Sequence, residues 1–349
     1  MTIEGVRTVA EQEFRLRIRA GRWRWLLALW FGVVLGFAVL LRLGLDAVTP
    51  DDDPRPFGPA LFGGVMLFVL GLGLLVVPAL TAQSVNGDRE RGTLATLQVT
   101  RLTAAEIGLG KLAAAWGTAL TFLLLTLPVV GWALAEGGLP IGNVLATVGV
   151  VALLLGVVCA VSQALSALFA RSITSALLSY LTVFALTVGT LIAFGLATAL
   201  TNERATVTYE QPLFDEQTGQ VVPGETTTET YETSRVRPDR TWPLLAPNPF
   251  VILADSAPAL PPRVDPVTGR EIGSPLDPLG SLGTEVRGAR RPPQDVVRFD
   301  DPPAPRSETA PLWPYGLALQ VLLAAGAVLL TVRRLGTPVR RLPRGVRIA

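Results

Sequence analysis

The chain has no histidine and a single cysteine, Cys159. No disulfide can close within one chain, and a zinc site of the usual cysteine–histidine kind is excluded, as are Ser/His/Asp and Cys/His catalytic arrangements. Cys159 lies in an apolar run and reads as a small buried apolar group. Lysine is almost as scarce: Lys111 is the only one, and every other basic residue is arginine. A phosphate loop of the form Gly-x-x-x-x-Gly-Lys-Ser/Thr is missing, since Gly108-Leu109-Gly110-Lys111 lacks the spacing and is followed by Leu112. Charge is sparse at 17% of residues, and a net of +2 is too small for bulk attraction to nucleic acid. These absences argue against an enzyme. No metal site and no cofactor is expected on this chain, and any ATP is expected on another one.

What the chain has is long apolar runs. Half of its residues are hydrophobic and the mean hydropathy is +0.45. Six runs reach the roughly 20 residues needed to cross the hydrocarbon core of a bilayer. They are about Trp25–Leu45, Ala60–Ala82, Leu112–Ala135, Val144–Ala170, Ala176–Leu200 and Leu312–Val332, with Pro78 and Pro128 as expected kinks in the second and third. The fold class is therefore an all-α polytopic membrane protein of about six transmembrane helices, with an insertion between the fifth and sixth. The middles of spans two, four, five and six carry no charge. Ion-coupled transporters usually need a buried ionisable group as relay, so proton coupling is disfavoured. Arg42 lies near an end of span one, from which it can snorkel. Small polar groups do occur inside the spans, among them Thr118, Thr121, Ser162, Gln163, Ser166 and Tyr180. They fit either a translocation path or hydrogen bonds between helices. Gly32 and Gly36 form a small-residue pair at helix-packing spacing.

Residues 1–24 are polar and basic. Val6, Ala10, Phe14 and Ile18 recur every four residues and predict an amphipathic helix in the membrane interface, with arginines toward anionic headgroups. A strand, which the alternation Phe14–Arg19 also fits, would leave backbone groups unsatisfied there. Trp23, Trp25 and Trp30 suit the interfacial belt. Arginine and lysine fall on one side: the N-terminal lead, the loop Gln83–Lys111, Arg171 and the tail 333–349. By the positive-inside rule both termini are cytoplasmic, in a multi-pass protein of the cell membrane. The segment 201–311 is then extracytoplasmic. Ala205–Tyr209 and Thr226–Tyr231 alternate as strands around turn residues Asp215–Gly219, predicting a hairpin. Residues 260–310 hold many prolines without periodicity and read as extended or partly disordered. The insertion is either a poorly ordered loop or a surface for a substrate or partner.

The loop Gln83–Lys111 is the one extended polar stretch on its side between the first and fifth spans. Asp88, Arg89, Glu90 and Arg91 form a charge cluster of alternating sign. Gly92 and Thr93 interrupt it, and Thr93 can cap a short helix over Leu94–Val99 with Leu94 and Leu97 on one face. Thr103 with Glu106 is a capping-box signal for a helix running through Lys111 into the membrane.

The stretch NGDRERGTLATLQVTRLTAAEIGLGK resembles the cytoplasmic loop of ABC-2 type permeases, the membrane subunits of many bacterial ABC exporters. Glu90, Arg91, Gly92, Thr93, Leu94, Leu97, Gly110 and Lys111 match the family pattern, and Arg101 stands where the family usually has proline. The similarity extends over about residues 1–200 and 312–335. It implies a permease that forms half of a translocation path, a second copy or a paralogue supplying the other half. It also implies a separate ABC ATP-binding subunit contacting Asp88, Arg89, Glu90, Arg91, Gly92, Thr93, Leu94 and Leu97. The alternative is a non-transporting membrane scaffold whose outer segment binds a partner.

Overall fold

The computed structural model describes residues 2–19, 21–48, 56–92, 102–214, 221–257, 277–292, 296–298 and 310–336. Among the described residues, six helical stretches are long and apolar enough to cross a membrane: Trp23–Ala47, Gly58–Glu90, Ala104–Ala135, Ile141–Leu168, Ser172–Leu200 and Trp313–Leu335. The protein is a mostly helical, multi-pass membrane protein with one small sheet.

Two spans form the centre. Helix α3 (Gly58–Thr81) lies against α7 (Ile141–Leu168), and the core joins Leu61, Met66 and Leu70 to Leu154, Leu155 and Val158. Helices in lipid gain little from apolar burial alone, so close packing of small residues carries the association. At Gly73 an added Cβ would stand 2.5 Å from the Leu155 side chain. Gly58, at the start of α3, meets the carbonyl oxygen of Gly137 so closely that no side chain fits.

Span three is broken where proline predicts it. Helix α5 (Ala104–Leu125) ends at Thr126, and α6 (Leu127–Ala135) begins with Pro128, whose missing N–H cannot continue the ladder. The turn after α6 uses Gly137 and Gly138 at φ +83° and +78°, a region open to glycine. Pro78 sits within α3, three residues before its end.

Span one is α2 (Arg22–Val48), preceded by α1 (Ile3–Arg19). The buried residues of α1 are Gly5 and Val9, one position back from the predicted stripe. Helix α1 packs lengthwise on α5, so the residues facing α5 are set by that neighbour rather than by a lipid surface. Of the three tryptophans assigned to the interfacial belt, only Trp25 is exposed. Trp23 and Trp30 are buried on Phe122, with ring centroids 5.6 and 4.8 Å away. Arg42 does not rely on snorkelling: it donates to Glu136 and Asp46, each at 3.1 Å, and lies 4.1 Å above the Phe57 ring.

Span five comprises α8 (Ser172–Phe184), a π-helical segment 185–189 and α9 (Thr190–Leu200). Asn248 Nδ2 donates to the Thr187 carbonyl at 2.7 Å and to Thr190 Oγ1 at 2.9 Å. Its Oδ1 caps the short buried helix α11 (Pro249–Ser256), accepting from the Phe250 N–H.

The predicted hairpin is present: β1 (Glu203–Phe214) runs antiparallel to β2 (Val221–Arg235), with Val207 opposite Tyr231. A short β3 (Val296–Arg298) adds to β1 in parallel. The predicted turn residues lie outside the described residues. A four-residue turn of helix, α10 (Pro238–Thr241), leads toward α11. Within the stretch read as aperiodic, residues 278–288 form a helix, α12 (Pro278–Gly288), with Leu279 fully buried against α3. The signal was Asp277-Pro278 at its start and apolar residues at 279, 282 and 286, obscured by the proline-rich surroundings. The last span is α13 (Trp313–Leu335), packed on α7 and α5.

Candidate functional site

The loop after α3 is seated in a socket made by four spans. Its first turn, α4 (Asn86–Glu90), has no side-chain cap of its own. Ser166 of α7 takes that place: its Oγ accepts from the N–H groups of Val85 and Asn86, each at 3.1 Å, where all three residues are buried. Ser175 of α8 donates to the Ala82 carbonyl at 2.9 Å. A small apolar cluster, Val85, Ile107, Ala167 and Leu335, fixes the same point from α5, α7 and α13. The turn ends at Gly92, whose φ of +71° favours glycine.

Helix α5 begins with the predicted capping box: Thr103 Oγ1 accepts from the Glu106 N–H and Glu106 Oε2 accepts from the Thr103 N–H. The other carboxylate oxygen of Glu106 accepts from the N–H and hydroxyl of Thr2, at 2.5 and 2.8 Å. One glutamate thus caps two helices, α5 and α1. One turn on, Gly110 admits α1 at close range. An added Cβ there would stand 2.5 Å from Val9 Cβ and 2.9 Å from the Val6 carbonyl oxygen. Lys111 follows, and its ammonium donates at once to Glu13 of α1 and Asp88 of α4. The second oxygen of Asp88 accepts from Arg91 at 3.0 Å.

Of the predicted contact residues, Glu90, Arg91 and Gly92 are exposed at the tip and Arg89 is half-buried. Glu90 accepts from the Ser172 hydroxyl at 2.6 Å. Asp88 is buried at 8% exposure and turned inward onto Lys111, a placement unsuited to direct contact with a partner. Thr93, Leu94 and Leu97 lie outside the described residues.

The polar residues inside the spans are occupied by helix contacts. Gln163 Nε2 donates to the Gly108 carbonyl at 2.8 Å, tying α7 to α5. Tyr180 donates to the Leu75 carbonyl at 3.0 Å, tying α8 to α3. Thr118 accepts from Arg17 of α1 at 3.2 Å, and Thr121 donates within its own helix to Gly117. Ser162 is buried, and Ser166 caps the loop.

Sequence reasoning missed Glu13, Arg17 and Ser166 as parts of the loop's support. No local pattern marks them; only Ser166, an isolated hydroxyl one turn before a span's end, offered any signal. Residues 47–213, which contain the loop, its socket and spans two to five, match the family model described as ABC-2 family transporter protein. Over these residues the chain has the ABC-2 type permease domain. It is thus the membrane component of an ABC transporter and works in association with an ATP-binding subunit. No curated protein matches the permease.

Proposed function

We propose that this permease is the membrane subunit of an ATP-driven exporter, and that its ATP-binding subunit docks on the loop tip. The observation that carries this is the contrast within one turn. Glu90, Arg91 and Gly92 are exposed, while Val85, Asn86 and Asp88 beneath them are locked into the ends of spans three, four and five. A surface that is accessible yet rigidly rooted suits a contact through which displacement is delivered as a rigid-body movement. Leu94 and Leu97, whose spacing predicts one shared face, complete the contact. The arginine-rich ends of the spans meet at this loop, which supports a cytoplasmic side for it and for both termini.

A second copy or a paralogue completes the translocation path. Support comes from spans one and five: 17% and none of their most apolar stretches are buried within one chain, against 61% for span two. A Cβ added at Gly32 or Gly36 would meet nothing beyond its own helix within 4 Å. In that pairing Thr118, Gln163, Ser166 and Tyr180 serve the path by holding its walls together, and Thr121 and Ser162 are the candidates to line it.

The test is expression beside the ATP-binding subunit, with the double substitution Glu90→Ala and Arg91→Ala. The variant is expected to insert and fold normally while the ATP-binding chain no longer co-purifies and its hydrolysis is no longer stimulated. Undiminished co-purification and stimulation would count against the tip as the docking surface.

A further inference from the structure

We propose that Lys111 is the positioning residue of the coupling apparatus, a joint that makes the loop, the N-terminal helix and span three move as one body. The proposal rests on the docking of an ATP-binding subunit at the tip. Four charged groups form a line from surface to interior: Arg91, Asp88, Lys111 and Glu13. Their side-chain exposures are 69%, 11%, 2% and 23%, so the line begins in solvent and passes through a desolvated ammonium. Each inner group belongs to a different element, Asp88 to α4, Lys111 to α5 and Glu13 to α1. Gly110 brings α1 close enough to α5 for the lysine to reach both carboxylates. Glu106 holds the start of α1 on the same helix.

Stability alone is a weak reason for such a cluster. Removing three charges from water is costly, and apolar groups of similar volume are often no less stable. What the arrangement adds is resistance to separation. Withdrawing α1 or α4 takes one of its two carboxylates from the buried ammonium, and withdrawing α5 takes both, a steeper penalty than sliding an apolar contact. The loop therefore cannot be pushed without α1 and α5 following. The chain's only lysine stands at this crossing, and a lysine's single ammonium can satisfy two carboxylates from different helices.

The test uses the permease co-expressed with its ATP-binding subunit in lipid vesicles. One set of samples carries the triple substitution Lys111→Met, Asp88→Asn and Glu13→Gln, which removes the lysine and both of its carboxylates together, while exposed Arg91 and half-buried Arg17, which donates to Thr118, keep their charges. Spin labels at Gln83→Cys on the loop and Leu16→Cys on α1, in a Cys159→Ala background, report the distance between the two elements without nucleotide and with vanadate-trapped nucleotide. In the native sequence the distance is expected to stay constant between the two states. In the triple variant the complex is expected to assemble, but the distance changes with nucleotide and stimulation of ATP hydrolysis falls about tenfold, the scale of a typical coupling free energy. A joint that is merely structural predicts native stimulation and a constant distance in the triple variant, and that result overturns the proposal. So does a native distance that changes on trapping. If no ATP-binding chain assembles even with the native protein, the docking reading falls as well, and the two failures are thereby told apart.

Discussion

At the loop end of this permease, backbone groups are held by short side chains, Ser166, Ser175 and Thr103, with Glu106 completing the capping box, around a single buried lysine. At the hairpin end the ties are arginines laid on carboxylates. Arg287 pairs with Asp255, and Arg237 reaches Glu203 at 2.6 Å and Asp239 at 2.8 Å. Short polar caps fix a position with little side-chain freedom to lose, which suits a part that must transmit displacement. Long arginines tolerate some play, which suits an appendage such as the β1–β2 hairpin. The exception is Asp255, buried at 1% exposure, which also accepts from the N–H groups of Leu312 and Trp313 at 2.6 and 2.7 Å. It anchors α11, α12 and the start of the last span together.

That exception gives the largest expected effect. Asp255→Ala removes the carboxylate from beside Arg287 and from two backbone donors, at a cost of about 3–5 kcal/mol. A lowered thermal transition and poor folded yield in detergent are expected, with Asp255→Asn milder because it keeps an acceptor. An unchanged transition for Asp255→Ala would show that the two ends do not differ as described.

Next comes Ser166→Ala at the loop end. It strips the acceptor from two buried N–H groups, worth about 1–3 kcal/mol. The loss is local, so hydrogen exchange should accelerate by about tenfold at residues 85–90 while the spans stay protected. Uniform exchange across the loop in both proteins would mean that the apolar cluster alone seats it.

The smallest effect is pH-dependent and confined to the hairpin base. Hydrogen bonding to Arg237 holds the Glu203 and Asp239 carboxyls below their usual values. Groups with a depressed folded value contribute stability above the ordinary carboxylate range, and that contribution fades as pH falls through it. Exchange at residues 203–210 and 228–237, corrected for the intrinsic pH dependence of amide exchange, should be flat from pH 8 to pH 6 and rise only below about pH 4. A rise near neutrality would implicate other groups.

What the sequence made legible was local. Span number, the Pro128 break, the Thr103–Glu106 cap and the hairpin each depend on residues a few positions apart, so composition and spacing expose them. The partners of Lys111 are different in kind. Glu13 lies 98 positions away, and nothing in the sequence around either residue distinguishes a buried pair from two solvated charges. Asp88 failed for a related reason: an alternating cluster looks the same whether one member turns inward or all face water. Val6 and Ala10 marked a face of α1 offset from the buried one, because the neighbour that decides it, α5, lies a hundred residues further on. Leu279 was hidden by prolines that cap its helix rather than exclude one.

The π-helical segment 185–189 carries one more consequence. A residue inserted into a helix turns everything beyond it by about 100° relative to what came before. The lower half of span five, which grips the loop through Ser175, and the upper half, which leads into the hairpin, are therefore out of phase by one such step. Asn248 donates to the Thr187 carbonyl inside this offset segment, so the bearing of the hairpin around the span axis is set well inside the helix, before the chain ever leaves it.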